Sequence, residues 1–285
     1  MVKKGEVHFN WIFVLVAGTL FLFFFIGFGL KYKSFSEDKT NIEVLINFDN
    51  TLTALQSSSF KTFDSLALPV KINNRCGKLN IGKREITSNN IISSPKELSN
   101  KILIWYQPYK MPFKITNFYY VIPENSKYYL VEDSGDFSGS ILDGLPNDVK
   151  KKFSVARSGN LKRDGKLIFL TSNNYDNTGI LVKGNIDEGK IVINGKEYNY
   201  VGREMLYGAI FSDDYSCLLN KIQAETSIIG GVYKEKINVV RNNNCDYNII
   251  VNEISKLQSK LEFNTVKNID QENSRLIGDG CAGVF

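Results

Sequence analysis

The chain has 285 residues, 43% of them apolar and 23% charged, with 14 Tyr and 19 Phe. This length accommodates an opening segment of roughly 30 residues plus one large domain or two small ones, and the composition excludes a disordered chain. The net charge of +5, from 35 basic and 30 acidic residues, is scattered without the dense basic stripe that phosphate neutralisation requires, so nucleic acid is not an expected partner.

Residues 1–10 read as a short tail, and from Trp11 to Leu30 no residue is charged. At 1.5 Å per helical residue that run spans about 30 Å, the thickness of a bilayer's hydrocarbon core. A cleaved secretory signal would have a shorter apolar region, about 7 to 15 residues, followed by small residues; here the run ends Phe28-Gly29-Leu30-Lys31-Tyr32. A retained transmembrane helix is therefore expected, with Trp11 and Tyr32 at headgroup level and Lys3, Lys4, Lys31 and Lys33 reaching into water. The flanking charges are nearly balanced, so they do not set the orientation. Lys4-Gly5-Glu6-Val7 directly before the apolar helix resembles the class III, prepilin-type signal of archaeal surface proteins, although Asn10 stands where type IV pilins carry Glu. That resemblance implies a processing site between Gly5 and Glu6, a cytoplasmic N-terminus and a helix that stays attached. The whole chain is similar to uncharacterised archaeal single-pass membrane proteins bearing such a segment.

Between residues 31 and 60, Ile42, Leu45, Phe48, Leu52 and Leu55 recur every three or four positions, which predicts a membrane-proximal helix or stalk. From residue 61 onward the period shortens. The β-branched and aromatic runs at 70–72, 102–106, 113–122, 127–132, 166–171 and 179–184 read as strands, and Asn194-Gly195 predicts a two-residue hairpin turn. Pro108 and Pro112 are expected to shape a turn between two of these strands. Residues 138–153 read as a helix between strands. The expected fold is α+β, a mixed or antiparallel sheet followed by a C-terminal helical hairpin (helices near 213–240 and 246–266), with an α/β arrangement around a βαβ unit at 127–171 as the alternative.

Four cysteines, Cys76, Cys217, Cys245 and Cys281, all follow the apolar segment. An even count on one side of a membrane suits two disulfides in an outer domain, whereas zinc is disfavoured because no Cys-x-x-Cys pair occurs and the sole His, His8, lies at the membrane boundary. A continuous helix over 213–240 holds Cys217 and Cys245 apart, so the expected pairs are Cys217 with Cys281 and Cys76 with Cys245.

No motif names a reaction. His8 sits apart from any Ser or Cys nucleophile in the domain. Asp133-Ser134-Gly135-Asp136-Phe137-Ser138-Gly139 lacks the Lys of a phosphate loop and the spacing of a nucleophile elbow. The stretch Asn174–Gly179 has Asn185 where a calcium loop needs Glu, and Asp213-Asp214 reads as a helix cap. The aromatic cluster around Trp105, Tyr106 and Tyr109 is mostly core by composition, with a contact surface as its candidate function. Thirty asparagines yield no Asn-x-Ser/Thr sequon. The residues thus lead to a cell-membrane protein with an extracellular domain, contacting lipid and envelope proteins or itself, structural or pilin-like, without cofactor or small-molecule ligand. The alternatives are a complex subunit with a cytoplasmic domain and a tethered hydrolase or transferase using Asp133, Asp136, Asp213 or Asp214.

Overall fold

The structure is a computed structural model that describes residues 6–57, 63–159, 164–171, 175, 178–241 and 245–285. Gly5 of the expected processing site, and Asn174, Asp176 and Asn177 of the calcium-loop-like stretch, lie outside the described residues.

Helix α1 (Glu6–Ser57) is a single element of 52 residues, about 78 Å long at 1.5 Å per residue. The expected transmembrane and stalk segments are thus one helix. Neither Gly nor Pro occurs from Lys31 to Ile42, so nothing in that stretch interrupts the backbone hydrogen-bond ladder.

The chain then builds two six-stranded sheets. The first contains β1 (Phe63–Arg75), β2 (Lys78–Ile81), β3 (Arg84–Thr87), β4 (Ile91–Ser93), β5 (Glu97–Lys110) and β6 (Lys114–Pro123), in the order β3-β2-β1-β5-β6-β4. Only the β4–β6 pair is parallel. Strand β6 is buried along nearly its whole length, as a strand covered on both faces must be, which explains its almost continuous apolar sequence. Pro108 lies inside β5 rather than in the following turn. Among the described residues, pairing of β5 with β1 reaches Trp105 and does not extend to Pro108, which fits the loss of a ladder donor there.

The second sheet contains β7 (Tyr128–Val131), β8 (Phe153–Ala156), β9 (Lys166–Phe169), β10 (Ile180–Gly184), β11 (Glu188–Ile193) and β12 (Lys196–Val201), in the order β12-β11-β10-β9-β7-β8. Strands β8, β7, β9 and β10 run parallel, and β10, β11 and β12 antiparallel. Between β7 and β8 the chain forms α2 (Phe137–Asp143) and α3 (Asn147–Lys150), split at Gly144-Leu145-Pro146. The βαβ unit is therefore present, embedded in an α+β fold. At the β11–β12 turn Asn194 and Gly195 both have positive φ, 51° and 74°, the geometry of a type I′ turn.

Helix α4 (Arg203–Phe211) lies between the sheets, touching β4, β5 and β6 of one and β11 and β12 of the other. All residues from Met205 to Phe211 are buried, matching a helix that is apolar all round. Helix α5 (Tyr215–Val240) packs on β4 and β6, and α6 (Asn248–Ser259) returns along it. The expected second helix of the hairpin, 246–266, ends early: Lys260 is extended, the Leu261 amide donates to Gln223 Oε1 at 3.0 Å, and a further helix, α7 (Phe263–Gly278), reverses direction.

That third helix decides the disulfides. All four cysteines are paired, but as Cys76–Cys217 and Cys245–Cys281, with Cα separations of 5.8 and 5.9 Å. Cys217 and Cys245 indeed stand at opposite ends of α5. The expected pairs fail because two returning helices bring Cys281 back to the end where it left, beside Cys245. Cys76, in the β1–β2 turn, meets the first turn of α5.

Candidate functional site

The apolar helix and its seat on the first sheet form the most distinctive arrangement in the molecule. Along residues 11–35 of α1 the large apolar side chains are exposed, Trp11 at 71% and Phe24 at 65%. This is the one helix among the described residues long and apolar enough to cross a bilayer. Further along, Leu45, Phe48, Leu52 and Leu55 are buried against Leu68, Ile72, Leu79, Leu98, Ile104 and Tyr119 of the sheet. The three-and-four spacing read from the sequence thus marks a docked face, and Ile42 at its start is half-buried. Burying four such side chains is worth about 6–12 kcal/mol before entropic costs.

Polar contacts fix this seat ahead of the docked face and midway along it. Arg84 Nη2 donates to Asp38 Oδ2 at 2.8 Å, and Asp49 Oδ1 accepts from Ser88 Oγ at 2.5 Å and from Asn90 Nδ2 at 3.3 Å. None of these residues was singled out in the sequence. A signal for the hairpin that supplies Arg84 does exist, because Gly82-Lys83 separates the alternating runs Lys78–Ile81 and Arg84–Thr87.

The aromatic cluster lies mostly in the interior, with Tyr106 half-buried. Trp105 and Tyr109 are 1% and 0% exposed, and Tyr106 packs against the α1 seat. Trp105 stacks on Tyr120 at 5.0 Å and meets Phe211 edge-on at 5.1 Å. The tyrosine hydroxyls donate to backbone carbonyls across the layers: Tyr109 to Val201 at 3.0 Å, Tyr120 to Glu204 at 3.0 Å and Tyr207 to Ile141 at 2.5 Å. Burial pushes the Tyr109 and Tyr120 phenols well above their usual range. These groups join the sheets and α4.

Three of the four candidate acids are likewise engaged, whereas Asp136, at the start of α2, makes no side-chain cap hydrogen bond. Asp214 Oδ1 caps α5 by accepting from the Cys217 amide at 3.3 Å and from Ser216 Oγ at 3.1 Å. Asp213 Oδ2 accepts from the Lys96 amide at 3.1 Å, and its other oxygen lies 3.7 Å from Lys166 Nζ, whose pKa burial lowers. In the loop after β7, Asp133 Oδ1 accepts from the Ser158 amide at 2.9 Å. The two amides that a phosphate would use, those of Phe137 and Ser138, already donate to Glu132 at 2.9 and 3.2 Å. This loop follows the carboxyl end of a parallel strand, where such sheets receive ligands, but the protein's own carboxylate fills the position.

Among the described residues no group of three or more His, Cys, Asp or Glu is placed to hold a metal. A shallow cleft of about 340 Å³ runs beside the edge strand β12, between Glu188, Lys190 and Tyr200 on one wall and Leu261, Glu262 and Phe263 on the other. Lys190 pairs with Glu197 at 2.6 Å, both side chains being partly exposed. His8 belongs to the first turns of α1, remote in sequence from the docked stretch.

Comparison of the chain with protein-family models, with curated proteins and with solved structures finds no match.

Proposed function

We propose that this chain is a single-pass membrane protein of the cell envelope, with a cytoplasmic N-terminus, residues 11–30 in the bilayer and the two-sheet domain outside, serving as a structural or protein-contact component. The observation that carries this reading is α1 itself: one unbroken helix with a bare apolar half and a half seated firmly in the domain. Two disulfides add weight, since such bonds persist in oxidising compartments. A pilin-like arrangement, in which copies associate through their bare helices, is the form of this reading suggested by the prepilin-type segment at Gly5-Glu6.

Membrane fractions washed with alkaline carbonate, together with protease treatment and thiol labelling of intact cells, test the proposal. The expected result is a chain that stays in the membrane pellet, loses its domain to external protease and shows no reactive thiol before reduction. A chain released by carbonate overturns the anchor. A protease-protected domain with free thiols supports instead a membrane-complex subunit facing the cytoplasm. Extraction in mild detergent then reads whether the chain emerges alone, with other proteins or as a filament.

A further inference from the structure

The β2–β3 hairpin runs alongside α1, and its direction can be read from two contacts. Arg84 at the start of β3 bonds Asp38, and Ser88 just beyond its end bonds Asp49. Eleven helical residues advance about 16 Å and four strand residues about 13 Å, so β3 climbs along the helix in the same direction as the chain of α1. The turn that precedes it, Gly82-Lys83, therefore lies at the end of β3 nearer the bare apolar half of α1, beside Asp38. Gly82 has φ 58°, which a glycine supplies at the first position of a two-residue hairpin turn.

The height of this turn follows from the helix. Asp38 is eight residues beyond Leu30, about 12 Å along the axis, and Lys83 is one strand residue lower still. A polar headgroup layer is roughly 5–8 Å deep on each side of the hydrocarbon core. A lysine side chain of ordinary length bridges the remaining distance. The band formed by residues 31–39 and 81–84 carries five cations against two carboxylates, Glu37 and Asp38. Asp38 is occupied by Arg84, and Glu37 only reaches Lys33 at 3.9 Å with both side chains largely exposed, a pairing that neutralises little.

We propose that the Gly82-Lys83 turn is a second membrane contact, a foot resting on anionic lipid headgroups, with Lys83, Lys31 and Lys33 facing their phosphates. The inference rests on the reading of residues 11–30 as an anchor. Its consequence is that the domain is held to the bilayer at two points, helix and foot, and its orientation responds to the anionic lipid content of the leaflet it faces.

The test uses the full chain reconstituted in vesicles of phosphatidylcholine alone and of phosphatidylcholine with phosphatidylglycerol. Flotation after a carbonate wash establishes insertion, and hydrogen exchange is then followed at residues 81–84, with the exposed Asn194-Gly195 turn as internal reference. The expected result is exchange at the foot slowed about fivefold by the anionic lipid, the ratio equivalent to ~1 kcal/mol for one lysine at a charged surface, with the reference turn unchanged. Lys83→Gln, at an exposed turn position that leaves the fold intact, should remove most of that slowing. Inorganic phosphate added to neutral vesicles should not reproduce it; if it does, the turn binds free phosphate and the lipid foot is overturned. A chain that floats but exchanges equally at 81–84 in both membranes also overturns the foot while leaving the anchor standing. A chain that does not float overturns both.

Discussion

Asp164 shows how single residues do structural work here that could be mistaken for chemistry. Its carboxylate accepts from Lys127 Nζ at 2.5 Å and Tyr129 Oη at 2.6 Å, and these bonds, Lys127's first, hold its pKa down at about 2. Because the folded-state value is depressed, the stabilisation is complete above the ordinary carboxylate range near ~4 and is lost as pH falls toward the folded value. The wild-type domain should therefore lose more stability between pH ~4 and ~2 than Asp164→Asn does, as read from urea midpoints across that window. Superimposable pH profiles would refute this role. The Asn194-Gly195 turn was legible at this scale because two residues in sequence demand one backbone geometry. The pair Cys76-Gly77 adopts the same left-handed φ values, 58° and 79°, but a cysteine advertises sulfur chemistry before it advertises a turn.

At the scale of elements, the docked face of α1 was readable because helical spacing of Leu45, Phe48, Leu52 and Leu55 persists over three turns. The surface receiving it was less so: β2, β3 and β4 are three or four residues long, too short for alternation to stand out from chance. Aromatic density at 105–120 likewise reports burial or contact without distinguishing them, and only the layer formed by α4 shows that both faces of that sheet are covered. Helix α4 itself was not anticipated, since a nine-residue helix buried all round has no polar face to give it a period. The seat is the element-level feature with the clearest energetic consequence. Phe48, 1% exposed, should cost about 3–5 kcal/mol on truncation to alanine, seen as a lower unfolding midpoint of the detergent-solubilised chain by near-ultraviolet circular dichroism. Phe24→Ala, in the bare half, should leave that midpoint unchanged. Equal effects of the two would mean that the docked stretch contributes nothing to the domain.

For the whole molecule, the two disulfides divide the labour unequally. Cys76–Cys217 closes 141 residues and ties the α1-bearing sheet to α5, whereas Cys245–Cys281 closes only 36 and stays within the C-terminal helices. On loop-closure grounds their removal should cost about 5 and about 4 kcal/mol respectively, so the Cys76→Ser/Cys217→Ser pair should lower the melting temperature further than Cys245→Ser/Cys281→Ser. The reverse order would show that local packing around α6 and α7, not chain entropy, sets their value. The overall class and the even cysteine count were legible. The connectivity was not, because it depends on whether an odd or an even number of helices lies between the last two cysteines.

The unbroken course of α1 from Lys31 into its docked face has a geometric outcome. A stiff shaft with about 100° of rotation per residue makes the compass bearing of everything mounted on it a matter of residue count. Inserting a single amino acid after Lys33 would turn the mounted sheets by about that angle and raise them about 1.5 Å, whereas a jointed stalk would absorb the change unnoticed. The short span between the bare apolar half and the docked face thus acts as a gear train whose tooth number is written in the chain.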